Sequence, residues 1–196
     1  LHLAFAGTNT IHGLFFDGSD QYPGAWGSLA SGAQYKTSLI TGGGMLRVIA
    51  GPAPSPYGAW AAGFGLDATL GRSPAFDADV ENDGLPNGLE WVLDGNPLAR
   101  DAANLWGVVS TPAAIIISFL RRDDAEPSTD LKVQWGPNLR DWLDAPVGAT
   151  SSGPDAHGVT IAVAENGSAP DAVAVTIPHA NGTQGRLFVR LRAALR

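Results

Sequence analysis

The chain has 196 residues, with 12 lysines and arginines against 19 aspartates and glutamates, a net charge of −7, and no cysteine. The lack of cysteine excludes thiol catalysis, cysteine-ligated zinc, iron–sulfur clusters and disulfides. The acidic balance argues against a general nucleic-acid-binding protein, which carries a basic patch or stripe. The composition, 44% hydrophobic and 16% charged residues with 25 glycines and 14 prolines, is typical of a globular, turn-rich protein.

The sequence contains no apolar run of about 18 residues or more, so no segment is predicted to cross a membrane as a helix. The chain begins Leu1-His2-Leu3, which is neither an initiator methionine nor a charged signal-peptide start. We therefore expect a fragment or a processed product.

Residues 1–50 are predicted to form short strands broken by tight turns. Apolar residues alternate at Leu1, Leu3 and Phe5, and the apolar burst 45–49 follows three consecutive glycines. Three prolines within residues 51–56 predict a stiff, extended linker, which marks a boundary.

Two short helices are predicted after the linker. The first places four apolar residues on one face at i, i+3, i+4 and i+7, namely Tyr57, Trp60, Ala61 and Phe64. The second runs from Asn87 to Leu93 and is closed by Pro97. Residues 67–101 hold eight acids and two bases, so this segment accounts for six of the seven net negative charges.

Strand patterns return from about residue 104. They cover residues 106–109, 114–120, 131–135, 159–163, 173–177 and 187–192. Short strands at these spacings predict an antiparallel β-sandwich. In the last of them Arg190 and Arg192 alternate with Val189 and Leu191, and we expect the basic face to be a solvated sheet surface rather than an anion site.

The acidic segment contains the residue spacing of the calcium loop of an EF-hand. Counting Asp79 as position 1 places oxygen ligands at positions 1, 3, 5, 7, 9 and 12, namely Asp79, Glu81, Asp83, the carbonyl of Leu85, Asn87 and Glu90. Gly84 stands at position 6, where the loop turns sharply. Calcium takes six to eight oxygen ligands at about 2.3–2.6 Å, which alternate residues of such a loop supply. We therefore predict a calcium site formed by these six residues, with Glu90 bidentate.

Two positions depart from the EF-hand pattern. Glu81 stands where Asp or Asn is usual, and Pro86 occupies position 8 in place of an apolar, strand-forming residue. The segment is therefore better described as a calcium loop without a full helix–loop–helix. The alternative is a solvated acidic turn whose Asp, Asn and Gly residues serve loop geometry alone. Three further residues are left open as additional ligands: Asp77, Asp94 and Asn96.

No pattern in the sequence predicts catalysis. The histidines are scattered, without the i, i+4 spacing of a zinc pair, at His2, His12, His157 and His179. The sequence has no G-x-S-x-G elbow, no phosphate loop and no H-E-x-x-H motif. We therefore expect a protein that is not an enzyme. Its six tryptophans are more typical of core anchors, with a sugar-stacking platform as the alternative.

Several stretches resemble a segment near the C-termini of large secreted proteins of Verrucomicrobia and Planctomycetes. The residues that carry the resemblance are 57–60, 64–66, 79–90, 91–93 and Asn96-Pro97. That family has a tryptophan-containing short helix, an acidic D-x-D-x-D-G-x-x-N-x-x-E loop and an aromatic-rich helix ending in Asp-Pro, where this chain has Asn96. The loop also resembles the calcium loops of thrombospondin type 3 repeats and dockerins.

The resemblance extends to both sides of the loop. Residues 5–10, 14–18, 23–27 and 40–48 resemble the end of an autotransporter-associated β-strand repeat region, and residues 119–122, 131–135, 138–142 and 187–191 resemble the family's terminal β-domain. Because such repeats stack as a parallel β-helix, the resemblance implies that residues 1–50 are the final coils and cap of a β-helix. It also implies a secreted or cell-surface location.

The sequence thus predicts a mainly β protein in three parts: a β-helix end at 1–50, a linker with two short helices and the calcium loop at 51–97, and a β-sandwich at 98–196. The expected function is a non-catalytic extracellular structural or cell-surface module that calcium rigidifies. One alternative is a processed, self-assembling subunit of a fibre or surface layer, which pairs through an open edge near Leu1. Another is a carbohydrate-binding or adhesion module for cell-surface glycans. Neither a nucleic-acid partner nor a transmembrane segment is expected.

Overall fold

The computed structural model describes residues 1–196, the side chain of Thr69 left aside. It is mainly β, with 37% of the residues in strands and 14% in helices, and contains several antiparallel sheets. This confirms the predicted mainly β class. The chain divides into two compact units, Leu1–Val80 and Glu81–Arg196. The boundaries expected at residues 50 and 97 stay predictions.

The first unit consists of short strands followed by a helix. Its elements are β1 (His2–Leu3), β2 (Thr8–Ile11), β3 (Phe15–Phe16), β4 (Ser19–Asp20), β5 (Gly24–Gly27), β6 (Tyr35–Lys36), β7 (Thr41–Gly42), β8 (Met45–Val48), α1 (Pro56–Phe64) and a 3-10 turn (Ala68–Leu70). β8 lies between β2, to which it is parallel, and β5, to which it is antiparallel. β1 pairs in parallel with β7, and β6 with β5. The expected β-helix is not shown among these described strands.

Aromatic side chains form the centre of the first unit's core. Trp26 and Tyr35 are buried, with ring centroids 5.0 Å apart, and pack with Ile40 and Val48. The indole N–H of Trp26 donates a hydrogen bond of 2.8 Å to the carbonyl of Tyr22. The polar atom of this large ring is therefore satisfied within the core.

Helix α1 begins and ends with recognisable caps. The hydroxyl of Ser55 accepts a hydrogen bond from the N–H of Gly58, and proline occupies the first turn. Gly65 ends the helix in the left-handed conformation, with φ of 68°. The buried face contains Tyr57 and Trp60, so the helix predicted from the apolar spacing is confirmed.

The second unit contains two short helices and longer strands. Its elements are α2 (Asn87–Val92), α3 (Ala102–Leu105), β9 (Trp106–Ser110), β10 (Ala114–Arg121), β11 (Thr129–Gly136), β12 (Leu143–Pro146), β13 (Thr160–Ala164), β14 (Asp171–Pro178) and β15 (Phe188–Leu195), with 3-10 turns at Glu126–Ser128 and His179–Asn181. An antiparallel sheet has the order β13-β14-β10-β9, and another has the order β12-β11-β15. Each strand expected from the sequence after residue 104 is confirmed, and β12 is additional.

Both sheets of the second unit have a buried face. Alternate residues of β14 are buried from Asp171 to Ile177, and Val133 and Trp135 of β11 are buried as well. The last residues of the β10–β14 ladder form a buried ion pair, in which Arg121 and Asp171 face each other with an N–O distance of 2.6 Å. The two buried charges of Arg121 and Asp171 therefore compensate each other.

Helix α2 is buried along its whole length. It contacts β15, and the carbonyl of Val92 accepts a hydrogen bond of 2.9 Å from the backbone N–H of Arg122, which directly follows β10. Within the part of the chain that the structure describes, no helix is long and apolar enough to cross a membrane.

Candidate metal centre

The first three predicted ligands lie together. Oxygen atoms from the carboxylates of Asp79, Glu81 and Asp83 are all within 4.8 Å of one another, and the three residues are half-buried. Their spacing in the sequence, every second residue, is what brings them to one side of an extended loop. Negative charges this close repel one another unless a cation or protons compensate them.

Two residues with left-handed backbone conformation bend the loop. Asn82 has φ of 57°, and Gly84 has φ of 93°. Gly84 is the residue predicted to make the sharp turn, and glycine adopts this conformation without steric cost. Between them, Asp83 Oδ1 accepts a hydrogen bond of 2.9 Å from the N–H of Leu85, which closes a local turn.

Two residues that follow α2 form hydrogen bonds with the acidic loop. Asp83 Oδ2 accepts a hydrogen bond of 2.8 Å from the N–H of Ala102, and the Nε of Arg100 donates one of 2.8 Å to the carbonyl of Glu81. A carboxylate oxygen can accept a hydrogen bond and ligate a cation at the same time. The side of the loop after Val80 is therefore fixed by contacts within its own unit.

The other predicted ligands are buried at the start of α2. Leu85 is buried, Asn87 begins the helix, and Glu90 lies in its first turn. Asn87 and Glu90 both have 0% of their surface exposed. Gly95 packs against Glu90, since a Cβ atom at this glycine would come within 3.3 Å of the Cβ of Glu90. A side chain at residue 95 would therefore clash with Leu105 and also crowd the glutamate.

Glu90 does not join the group of carboxylates that lie within 4.8 Å of one another. The structure thus brings together Asp79, Glu81 and Asp83, whereas ligation by Leu85, Asn87 and Glu90 stays a prediction. The donors are all hard oxygen atoms, which are the ligands that calcium prefers. The chemistry of the donor set therefore fits a calcium ion.

The three residues left open as further ligands have other surroundings. Asp94 forms an ion pair of 2.9 Å with Arg122, and Asn96 Oδ1 accepts a hydrogen bond from the N–H of Leu98. The pKa of Arg122 is raised, mainly by its hydrogen bond to Asp124 and further by the one to Asp94. Asp77 is exposed and lies outside the triad. None of these contacts directs the residues toward the metal centre.

Sequence reasoning did not identify Arg100 and the N–H of Ala102 as supports of the loop. The only signal was the position of Arg100, which is a base near the end of the acidic segment. Comparisons of the chain with protein-family models, with curated proteins and with solved structures found no match. Its own geometry is therefore what identifies the candidate site.

Proposed function

We propose that the chain is a non-catalytic structural module that binds calcium in the loop 79–90. One observation carries the proposal: carboxylate oxygens of Asp79, Glu81 and Asp83 come within 4.8 Å of one another in a loop with the spacing of a calcium site. The left-handed Gly84 and the buried Glu90 at their predicted positions support it.

Calcium acts here by removing repulsion and by restricting the loop. The segment 67–101 carries a net charge of −6, and one bound Ca²⁺ reduces this to −4. The chain passes from the first compact unit to the second between Val80 and Glu81, within the loop itself. An ion held by residues 79, 81 and 83 therefore restricts the backbone of the loop at this point.

The test is a calcium titration of the purified chain after chelation of bound metal. At a free calcium concentration of about 100 times Kd, the folded state gains about 2.7 kcal/mol. For a chain of this size that gain raises Tm by about 5–11 °C. Trypsin cleavage after Arg100, whose side chain is bonded to Glu81, slows in parallel.

Magnesium serves as the control ion, because it demands a smaller octahedral site and keeps several of its waters. We expect it to give a clearly smaller rise in Tm at the same concentration. If calcium leaves both the melting temperature and the cleavage pattern unchanged, the proposal is wrong.

The finer assignments of fold and location belong to the same proposal. Alternating burial along β14 and along the second half of β10 supports a β-sandwich for residues 98–196. Parallel pairing of β2 with β8 and of β1 with β7 supports a β-helix end for residues 1–50. The resemblance to large secreted proteins supports a secreted or cell-surface location.

Self-association is a second candidate function, favoured by the outer face of the sheet β13-β14-β10-β9. A groove of about 620 Å³ lies on this face, and its lining contains no charged residue. Its floor is a row of small residues in register across the four strands, Gly107, Ser118, Ala174 and Ala162. β9 leaves one strand edge unpaired and exposes Val108 and Val109. An uncharged patch is compatible with an identical patch on a second copy.

A further inference from the structure

The outer face of the sheet β12-β11-β15 differs from the rest of this acidic protein, because cations outnumber anions there. Lys132 lies on β11 and Arg190 and Arg192 on β15. Two acids share the face: Asp144 on β12, which bonds Lys132, and Asp130 on β11, which pairs with Arg196. The face therefore carries a local excess of positive charge on a chain of net charge −7.

A buried glutamine organises these charges. Gln134 is 7% exposed, and its Nε2 donates a hydrogen bond of 2.6 Å to Asp144. Its Oε1 accepts one of 2.8 Å from the Nε of Arg190, while Lys132 bonds the other oxygen of Asp144 at 2.7 Å. The bond from Lys132, followed by that from Gln134, lowers the pKa of Asp144. The network thus holds Arg190 in one place.

The guanidinium of Arg190 is held by stacking on Trp142 as well as by its hydrogen bond to Gln134. Its Cζ lies 4.0 Å from the ring centroid of Trp142, and the Trp142 indole N–H is bonded to the carbonyl of Leu139. Only Nε is used among the described contacts of Arg190, so both Nη groups keep their donors for a ligand. A guanidinium held by stacking and by one hydrogen bond loses little entropy when it binds a carboxylate with two parallel bonds.

Arg192 extends the cationic surface along the strand. It is exposed, it is two residues beyond Arg190, and it faces Lys132 in register across β11 and β15. Residues i and i+2 of a strand lie on the same face, about 6.6–6.8 Å apart. The positive charges therefore form a short row, which suits an extended ligand with repeated anionic groups.

We propose that this face, which the sequence alone predicted to be a solvated surface and not an anion site, binds an anionic polysaccharide built of uronic acids. A uronic acid residue joins a planar carboxylate to a ring with apolar C–H groups, which matches the fork of Arg190 beside the ring of Trp142. Neutral sugars lack the carboxylate, and acidic peptides lack the adjacent ring. The residues involved are separate from the calcium loop, so either proposal stands when the other fails.

The experiment titrates the full chain with a short oligogalacturonate that does not gel, without added calcium and then with it. Binding is followed by NMR at the indole N–H of Trp142 and the Nε–H of Arg190. We expect shifts centred on these two groups and an affinity that decreases with salt. Arg190→Lys keeps the charge but loses the fork, and should weaken binding about tenfold.

Two variants complete the design. Arg47→Gln removes one exposed positive charge from the first unit and should change the affinity by less than about twofold. Asp144→Asn removes one of the two negative charges from the face and should tighten binding. The proposal is overturned by absence of binding, by equal losses in Arg190→Lys and Arg47→Gln, or by equal or tighter binding of polyglutamate or single-stranded DNA.

Discussion

The carboxylate of Asp83 and the backbone N–H of Ala102 form a hydrogen bond of 2.8 Å across 19 positions of the sequence. Ala102 is the first residue of α3, and Asp101, which precedes it, makes no side-chain cap bond. Asp83 therefore caps this helix from the loop. The same residue is a predicted metal ligand, so its structural and ligating roles have to be separated by experiment.

Variants of Asp83 separate these roles. Without calcium, Asp83→Ala should lower the free energy of unfolding by about 1–2 kcal/mol, because two backbone N–H groups lose their acceptor. Asp83→Asn keeps one acceptor oxygen and should therefore lower the free energy of unfolding by a smaller amount. Both variants should lose the calcium-dependent rise in Tm, measured by calorimetry. Asp77→Asn, which removes an exposed charge outside the triad, should keep that rise. A loss in Asp77→Asn as well would point to net charge rather than ligation.

Gly84→Ala tests the left-handed turn. An alanine Cβ at residue 84 meets no atom within 4 Å, so the only penalty is the backbone conformation at φ of 93°. We expect a loss of about 1 kcal/mol in urea unfolding. Gly43→Ala is the matched control. A Cβ at residue 43 also meets no atom within 4 Å, and Gly43 is not among the glycines with left-handed backbone conformation. Equal effects of the two substitutions would contradict the assigned turn.

The buried pair Arg121 and Asp171 should respond strongly to removal of one partner. Asp171→Asn leaves a buried guanidinium without its counter-charge and should lower the free energy of unfolding by about 3–5 kcal/mol. The double variant Arg121→Met with Asp171→Leu should recover much of that loss. Asp130→Asn breaks the exposed pair with Arg196 and should cost less than about 1 kcal/mol. Similar costs for the buried and exposed pairs in denaturant unfolding would be against this account.

Asp144 gives the stability a defined dependence on pH. Because its pKa in the folded state is lowered by Lys132 and Gln134, its contribution is present above the unfolded pKa of about 3.9 and is lost as the pH falls through the folded value. The pair is exposed, so the contribution is about 0.5 kcal/mol. Wild type and Asp144→Asn should therefore differ in unfolding free energy near pH 6 and converge in acid. A difference that grows on acidification would refute the assignment.

Self-association through the uncharged sheet face predicts a clear response in analytical ultracentrifugation. The wild-type chain should show a sedimentation coefficient that rises with concentration, and Val109→Lys should abolish the rise by placing a charge on the face. Ile49→Lys in the first unit has nearly the same starting exposure, 56% against 57% for Val109, and should behave like wild type. A monomeric wild type at all concentrations would exclude the self-association candidate.

Much of the second unit follows from local pattern. The strands β10 and β14 have runs of β-branched and apolar residues long enough to specify strand pairing. β12 has only four residues and ends in proline, so nothing local predicts it. It becomes a strand because β11 offers an edge and because Asp144 bonds Lys132 and Gln134 on that neighbour.

The candidate site was predictable only where it is local. The triad follows from residues spaced two apart, and Gly84 follows from the need for a turn. The partner of Asp94 could not be derived, because Arg122 lies 28 positions away. For the same reason the sequence did not reveal that Arg121 and Asp171, 50 positions apart, would meet in the core.

Helix α2 is enclosed partly by β15, the last strand along the chain. On a ribosome, the segment with Asn87 and Glu90 therefore emerges about a hundred residues before the strand that helps to bury it. Until β15 has been made, the contacts between α2 and this strand cannot form. The buried surroundings of Asn87 and Glu90 are therefore complete only after β15 has been synthesised.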